Sequence, residues 1–292
     1  MSAPIDLARV RALFADPRRV AGADFLRREI AGRMHDRLGL VKLVPRRVID
    51  AGCGAGADLA RLSKAYPAAQ VIGVDAAAAM AAVAAAPTAG RSLLSRLLPG
   101  KAGIDVFCGD FGNLPIDSNS VDLVWSNLAL LWHPQPDRVF AEWRRVLRVE
   151  GLLMFSSFGP DTFRELRSAL ATLDDTAHVL PFVDMHDFGD QLVEAGFSTP
   201  VMDMEVITVT YDTAAALLAD VRALGGNPLA TRRRALVGRG AWGRVLAALE
   251  SQRRPDGKLA LTFEVIYGHA FRPAPRVTAA GEAIIRFEPR RK

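Results

Sequence analysis

An open, mostly parallel α/β sheet is the fold class this sequence predicts, on three observations. Strand and helix signals alternate five times over about 110 residues between positions 46 and 158. The first strand signal, Val48-Ile49, runs through Asp50 into a turn with glycines at 52, 54 and 56, and a helical pattern starts near Asp58. Two later strand signals also end at a carboxylate, Asp75 and Asp110, on the strand ends where such sheets collect ligands.

The glycine stretch organises the chain. Glycine belongs where the backbone turns sharply or lets a ligand approach closely, and a helix N-terminus after it presents free N–H groups. Gly52-Cys-Gly54-Ala-Gly56-Ala57 satisfies the dinucleotide pattern, so the glycines alone permit NAD. Asp50 argues otherwise, because a carboxylate before the turn repels a pyrophosphate and suits a cationic or amino-acid group. Asp75, after the strand Val71–Val74, is placed to accept bonds from a ribose diol. Asp110 can accept from an adenine amine, with Phe111 as an apolar edge. Together these fit S-adenosylmethionine better than NAD.

Residues 1–45 read as helical, with Phe25, Ile30, Met34 and Leu38 near one face of a helix over 23–38. This segment is either a lid over the cofactor or a helix packed on the sheet. After the first βαβ unit, residues 87–100 form a long bridge, with Arg91, Arg96 and Lys101 in and just after it, that reads as a surface insertion or a docking loop. Strand Asp105–Gly109 leads to Asp110 and Phe111. Strand Val121–Ser126 delivers Asn127 and Leu128 to the same rim, and Trp132 and His133 follow, the histidine reading as a solvated loop residue. Helix Pro136–Arg148, with Val139, Phe140, Trp143, Val146 and Leu147 inward, stops at Glu150-Gly151 before strand Leu152–Ser156. Helices are expected over Pro160–Leu173, Asp184–Ala195, Thr213–Leu224 and Ala241–Ser251, and strands over Val206–Tyr211 and Leu259–Tyr267. The Pro- and Arg-rich end reads as a frayed tail.

Half of the 292 residues are hydrophobic, which supplies a substantial core. No internal repeat or interdomain linker is evident. The expected division is an N-terminal helical segment, 1–45, and one domain, 46–292, with insertions near 87–104, 160–183 and 212–258. No apolar stretch is long enough to span a bilayer and no leader pattern opens the chain, so a cytoplasmic protein is expected. Cys53 and Cys108, the two cysteines, fall in predicted βα turns and indicate neither a disulfide framework nor a metal site. The net charge of +5 favours an acidic partner, and nothing reads as a nucleic-acid-binding motif.

The order and spacing of Asp50-x-Gly-x-Gly-x-Gly56, Asp75, Asp110-Phe111 and Val121–Asn127 resemble the class I S-adenosylmethionine-dependent methyltransferases. Beyond that stretch, Ser126–Trp132, Phe158–Arg167 and the helical insertion before Leu259 resemble the biotin-pathway malonyl-[acyl-carrier protein] O-methyltransferases. The resemblance implies a Rossmann-like, seven-stranded, mostly parallel sheet with an antiparallel edge and a helical insertion before the last strand. It implies that Asp50 and the Gly52, Gly54 and Gly56 loop hold the amino-acid part of S-adenosylmethionine, Asp75 the ribose, and Asp110 with Phe111 the adenine, with Asn127 a further cofactor-binding residue at the rim. It implies methyl transfer to the free carboxylate of malonyl-acyl carrier protein, or malonyl-CoA, in biotin precursor synthesis. That carboxylate is ionised at neutral pH, so no general base is required.

Substrate contacts are expected from Trp132, Arg164 and Arg167, the arginines as carboxylate forks on an early helical turn. Arg232, Arg233, Arg234, Arg239 and Arg244 form a basic segment suited to an acidic carrier or to solubility. The tyrosine-acid pair common in the biotin family is absent from the N-terminal helix. Asp24–Arg37 resembles instead the start of complex I assembly factors related to arginine hydroxylation. The competing readings are therefore an assembly factor that modifies a protein arginine and a methyltransferase acting on a quinone-type small molecule.

Overall fold

The structure, a computed structural model, describes residues 4–86 and 103–275. The bridge carrying Arg91, Arg96 and Lys101 and most of the expected tail lie outside the described residues. Seven strands form one sheet: β1 (Arg47–Ala51), β2 (Gln70–Asp75), β3 (Ile104–Cys108), β4 (Val121–Asn127), β5 (Leu147–Phe158), β6 (Ser198–Tyr211) and β7 (Leu259–Phe271). Their order is β3-β2-β1-β4-β5-β7-β6. The first five pair in parallel, and β7 lies antiparallel between β5 and β6. The expected mixed sheet with an antiparallel edge is thus the observed one. The strand order reverses between β1 and β4, which opens a crevice at their carboxyl ends.

Neighbouring side chains of a strand point to opposite faces, so two cores form. Val48, Val71, Leu123 and Met154 face one core and Ile49, Ile72, Val124 and Phe155 the other. The first is covered by α3 (Asp24–Leu38), α4 (Ala57–Ala65), α7 (Arg164–Leu170), α9 (Ala214–Leu224) and α10 (Arg239–Glu250). The second is covered by α6 (Pro136–Val146) and α8 (Met185–Glu194). In α6, Val139, Phe140, Trp143 and Val146 are buried at helical spacing, and Phe140, Phe155 and Phe188 meet edge to face at 5.4–6.2 Å. The remaining helices are α1 (Leu7–Leu13), α2 (Pro17–Ala21) and α5 (Ala78–Ala85).

The N-terminal segment divides its work. Helix α3 packs on the sheet through Leu26, Ile30, Met34 and Leu38, whereas Phe25, expected inward, is 47% exposed. Residues four apart share a helix face, and the register that buries Ile30 and Met34 selects Leu26. The charged side of α3 meets β6, where Arg33 pairs with Glu205 and Arg37 with Asp203, each at 2.5 Å. Those inward acids break the apolar alternation of β6, so the sequence pattern marks only its second half.

Helices α1 and α2 lie over the crevice. Each starts at an aspartate cap: the Asp6 side chain accepts from the Arg9 amide, and Asp16 from those of Arg18 and Arg19. An isolated bridge between Ile5 and Leu229 ties this segment to the chain after α9, and Arg19 Nη1 donates to the Arg222 carbonyl at 2.5 Å. The helix expected over 160–173 is shorter, because Thr162 and Phe163 are stitched to β7 and Phe163 takes a left-handed φ of 63°. Beyond α6, Leu147 and Arg148 are already extended, which makes β5 longer than expected.

Ile30→Ala should cost about 2–5 kcal/mol of unfolding free energy and Phe25→Ala no more than about 0.5, as read by chemical denaturation. Equal costs would place the buried face of α3 elsewhere.

Candidate cofactor cleft and the adjoining cavity

The crevice at the reversal point holds a cleft of about 150 Å³. Its floor is the turn after β1, and the backbone there explains the glycines. Gly52, Gly54 and Gly56 have φ of 84°, 53° and 87°, a region that side chains strain to reach. A Cβ on Gly52 would lie 2.2 Å from the Ala129 Cβ, so this glycine lets the loops after β1 and β4 touch.

Asp50 is 1% exposed and its Oδ2 has no hydrogen-bond partner. Burial first, then the charges of Asp58 and Asp75, hold its carboxyl well above the usual carboxylate range. Asp58, in the first turn of α4, accepts from Trp125 Nε1 at 3.2 Å and Asn127 Nδ2 at 3.1 Å, and burial raises it too. Asp75 accepts the Gly54 amide on Oδ2 at 2.9 Å and the Ala77 amide on Oδ1 at 2.8 Å. Burial raises Asp75 against those two bonds, and each oxygen keeps a further lone pair. Three carboxyls crowded at one turn, with the Asp50 Oδ2 left unpartnered, form a site that suits a positively charged, hydrogen-bond-donating group.

At the other end, the Phe111 ring packs 5.7 Å from His133 and 6.1 Å from Trp143, whose Nε1 donates to the Phe111 carbonyl. Asp110 Oδ1 accepts the Gly112 amide at 2.7 Å and lies 3.7 Å from His133 Nε2. The interaction with His133 lowers the Asp110 carboxyl against the opposing effect of burial. His133 is itself buried behind Phe111 and is not the solvated loop histidine expected.

Asp50, Gly52, Gly54, Asp75, Phe111, Asn127 and Trp132 all line the cleft. Gly56 closes the turn instead, with its amide bonded to the Cys53 carbonyl, and Asp110 stands behind Phe111. Asn127 donates to the Arg27 carbonyl and Asp58 and accepts from Ser156, so its amide braces the cleft wall. The Cys53 thiol is pushed up, by burial and then by Asp50 and Asp75, which keeps it unreactive.

The Methyltransferase domain family matches residues 49–155. The malonyl-[acyl-carrier protein] O-methyltransferase of Laribacter hongkongensis is 47% identical over 291 residues, covering 97% of this chain and 96% of the relative. This chain belongs to that family. Its counterpart in Gallionella capsiferriformans is 47% identical over 262 residues and 89% of each chain. Among solved structures, the YcgJ protein of Bacillus subtilis shares the fold, with a TM-score of 0.58 at 14% identity over 83% of this chain and 98% of that one. Membership agrees with the resemblance stated from the sequence.

Arg164 and Arg167, expected from their place on an early helical turn to fork the acceptor's carboxylate, have other partners in this structure. Arg167 donates to the Pro160 and Thr162 carbonyls, and Arg164 is exposed beside Asp161 and Glu165. Neither lines the cleft or the cavity beside it. That second cavity, about 270 Å³, shares Leu131, Trp132, Phe158 and Leu224 with the cleft. Sequence reasoning also passed over Arg27, which donates to the Val20, Ala223 and Leu224 carbonyls and so fastens α3 to the end of α9. Only a contact across nearly two hundred residues reveals it. Asp58 had a local signal, an acid in the first turn of the helix after the glycines.

The folded chain keeps the Asp50 proton to higher pH than the unfolded chain does. Stability of the ligand-free protein should therefore fall as pH rises above the ordinary aspartate value of 3.8 toward the raised one. Asp50→Asn should raise the melting temperature at neutral pH and lessen that fall, with a residue left by Asp58 and Asp75. A neutral-pH melting temperature unchanged or lowered would contradict this.

Proposed function

We propose that this chain transfers methyl from S-adenosylmethionine to the free carboxylate of a malonyl thioester on acyl carrier protein, making a methyl ester for biotin precursor synthesis. The observation that carries the proposal is the 47% identity over nearly the whole of both chains to a relative of that name. The cleft fits the cofactor on its own terms: the unpartnered Asp50 oxygen and the glycine cradle suit an α-amino group and its carboxylate, and the spare lone pairs of Asp75 suit a ribose diol.

S-adenosylmethionine held there would supply a methyl carbon on a cationic sulfur, to be taken by the acceptor's carboxylate oxygen with the C–S pair left on sulfur. The chain supplies position and dryness. Asp50, the turn amides and Asp75 would fix one reactant, and Phe111, backed by His133, walls the far end. Leu131, Trp132, Phe158 and Leu224 present an apolar seam where the acceptor meets it. Alignment of this kind supplies roughly 7–11 kcal/mol. The acceptor is already an anion, so no side chain has to take a proton, and the apolar seam favours a step in which opposite charges cancel.

Labelled S-adenosylmethionine incubated with malonyl-acyl carrier protein should yield label that alkali releases as methanol. Cofactor binding by calorimetry without alkali-labile label would rule out the acceptor and leave the cofactor standing. Hydroxylated arginine on a protein partner, or a labelled quinone precursor, would favour the competing readings.

A further inference from the structure

The second cavity is built differently from the cleft. Its walls are mainly Phe158, Phe163, Phe182, Leu166, Leu218 and Trp242, and it meets the cleft at Trp132. Trp132 stands edge-on to Phe14 at 5.2 Å, and a Cβ on Gly225 would lie 2.4 Å from its ring. The tryptophan is therefore a fixed partition between two compartments, one acidic and one apolar.

Two ionisable side chains line the apolar compartment. His178 is occupied, with Nε2 bonded to Asp174 at 2.9 Å, and Asp174 is paired in turn with Arg233. Arg222 is exposed, so it marks where the cavity reaches solvent, and its guanidinium has no carboxylate partner among the described residues. Helix α10, which lends Trp242 to the wall, also exposes Arg239 and Arg244, again without ion pairs among the described residues. An apolar channel with one unpaired arginine at its mouth and a cationic helix alongside suits a mostly neutral chain that ends, at the surface, in an anion held by an acidic body.

We propose that the second cavity receives the pantetheine arm of the acceptor thioester and that Arg222 pairs with the phosphate at the arm's outer end. This rests on the carboxyl-methylating reading above. The neutral amide and thioester portion lies among the aromatic walls, and the terminal carboxylate reaches the seam at Trp132. Arg222 lines only the outer compartment, so it grips the phosphate and leaves the nucleophilic oxygen free.

The test compares malonyl-pantetheine with malonyl-4′-phosphopantetheine, which differ by the phosphate alone, on the wild type, Arg222→Ala and Leu218→Trp. The wild type should show about tenfold higher kcat/KM for the phosphorylated acceptor, and Arg222→Ala should lose that preference while retaining activity on the unphosphorylated one. Leu218→Trp, which fills the cavity, should depress kcat/KM for both at least tenfold while S-adenosylmethionine affinity by calorimetry stays within twofold. Equal wild-type use of the two acceptors, an equal loss on both in Arg222→Ala, or unaltered turnover in Leu218→Trp overturns the assignment. So does activity confined to the intact carrier. Absence of wild-type methyl transfer to any malonyl thioester, the carrier included, would instead remove the underlying reading.

Discussion

Everything in the cleft depends on the crowding of three carboxyls, Asp50, Asp58 and Asp75, around a turn of left-handed glycines. Buried carboxyls close together resist ionisation, and the Asp50 oxygen without a partner leaves that cost uncompensated in the free chain. The fold sustains the arrangement because the surrounding groups are rigid. The turn amides bond Asp75, Trp125 and Asn127 hold Asp58, and Gly52 sits directly on Ala129. A cation with a hydrogen to donate would give the Asp50 oxygen the partner it lacks among the described residues. Stability and recognition therefore pull in opposite directions at one residue.

The sheet places these groups by simple topology. Reversal between β1 and β4 sends the helices that follow them to opposite faces of the sheet, and the cleft opens above the touching loops at their carboxyl ends. The antiparallel pair β6 and β7 extends the sheet on the far side. It gives the insertion carrying α9 and α10 a base on which to pack, through Leu217, Val245 and Leu249 in the same core as Leu261 and Phe263. The apolar cavity is thus built by the edge of the sheet and the cleft with the three aspartates by its centre.

The placement of the glycines, Asp50 and Asp75 was legible because it follows from a few neighbouring residues: a strand end, a turn that needs positive φ, a carboxylate at a parallel strand's tip. The parts that were not legible depend on contacts between distant segments. Arg27 matters because α9 ends beside it, and His133 is buried because Asp110, Phe111 and Val139 surround it. Arg164 and Arg167 looked like an acceptor's forks when the helix was taken to start at Pro160. The left-handed Phe163 delays it, and the Arg167 donors turn back to the two carbonyls of that turn. Phe25 and Leu26 were exchanged for the same kind of reason: a stretch with arginine at several positions gives a weak apolar stripe, and the sheet decides which side faces it.

The tie between the first residues and the end of α9 couples the two compartments mechanically. Ile5 pairs with Leu229, Arg19 holds the Arg222 carbonyl and Arg27 those of Ala223 and Leu224, while α1 and α2 roof the cleft. The roof of one compartment and the wall of the other are thus fastened into one piece. A displacement of α1 and α2 therefore disturbs the lining of both compartments together, and neither is free to change shape alone.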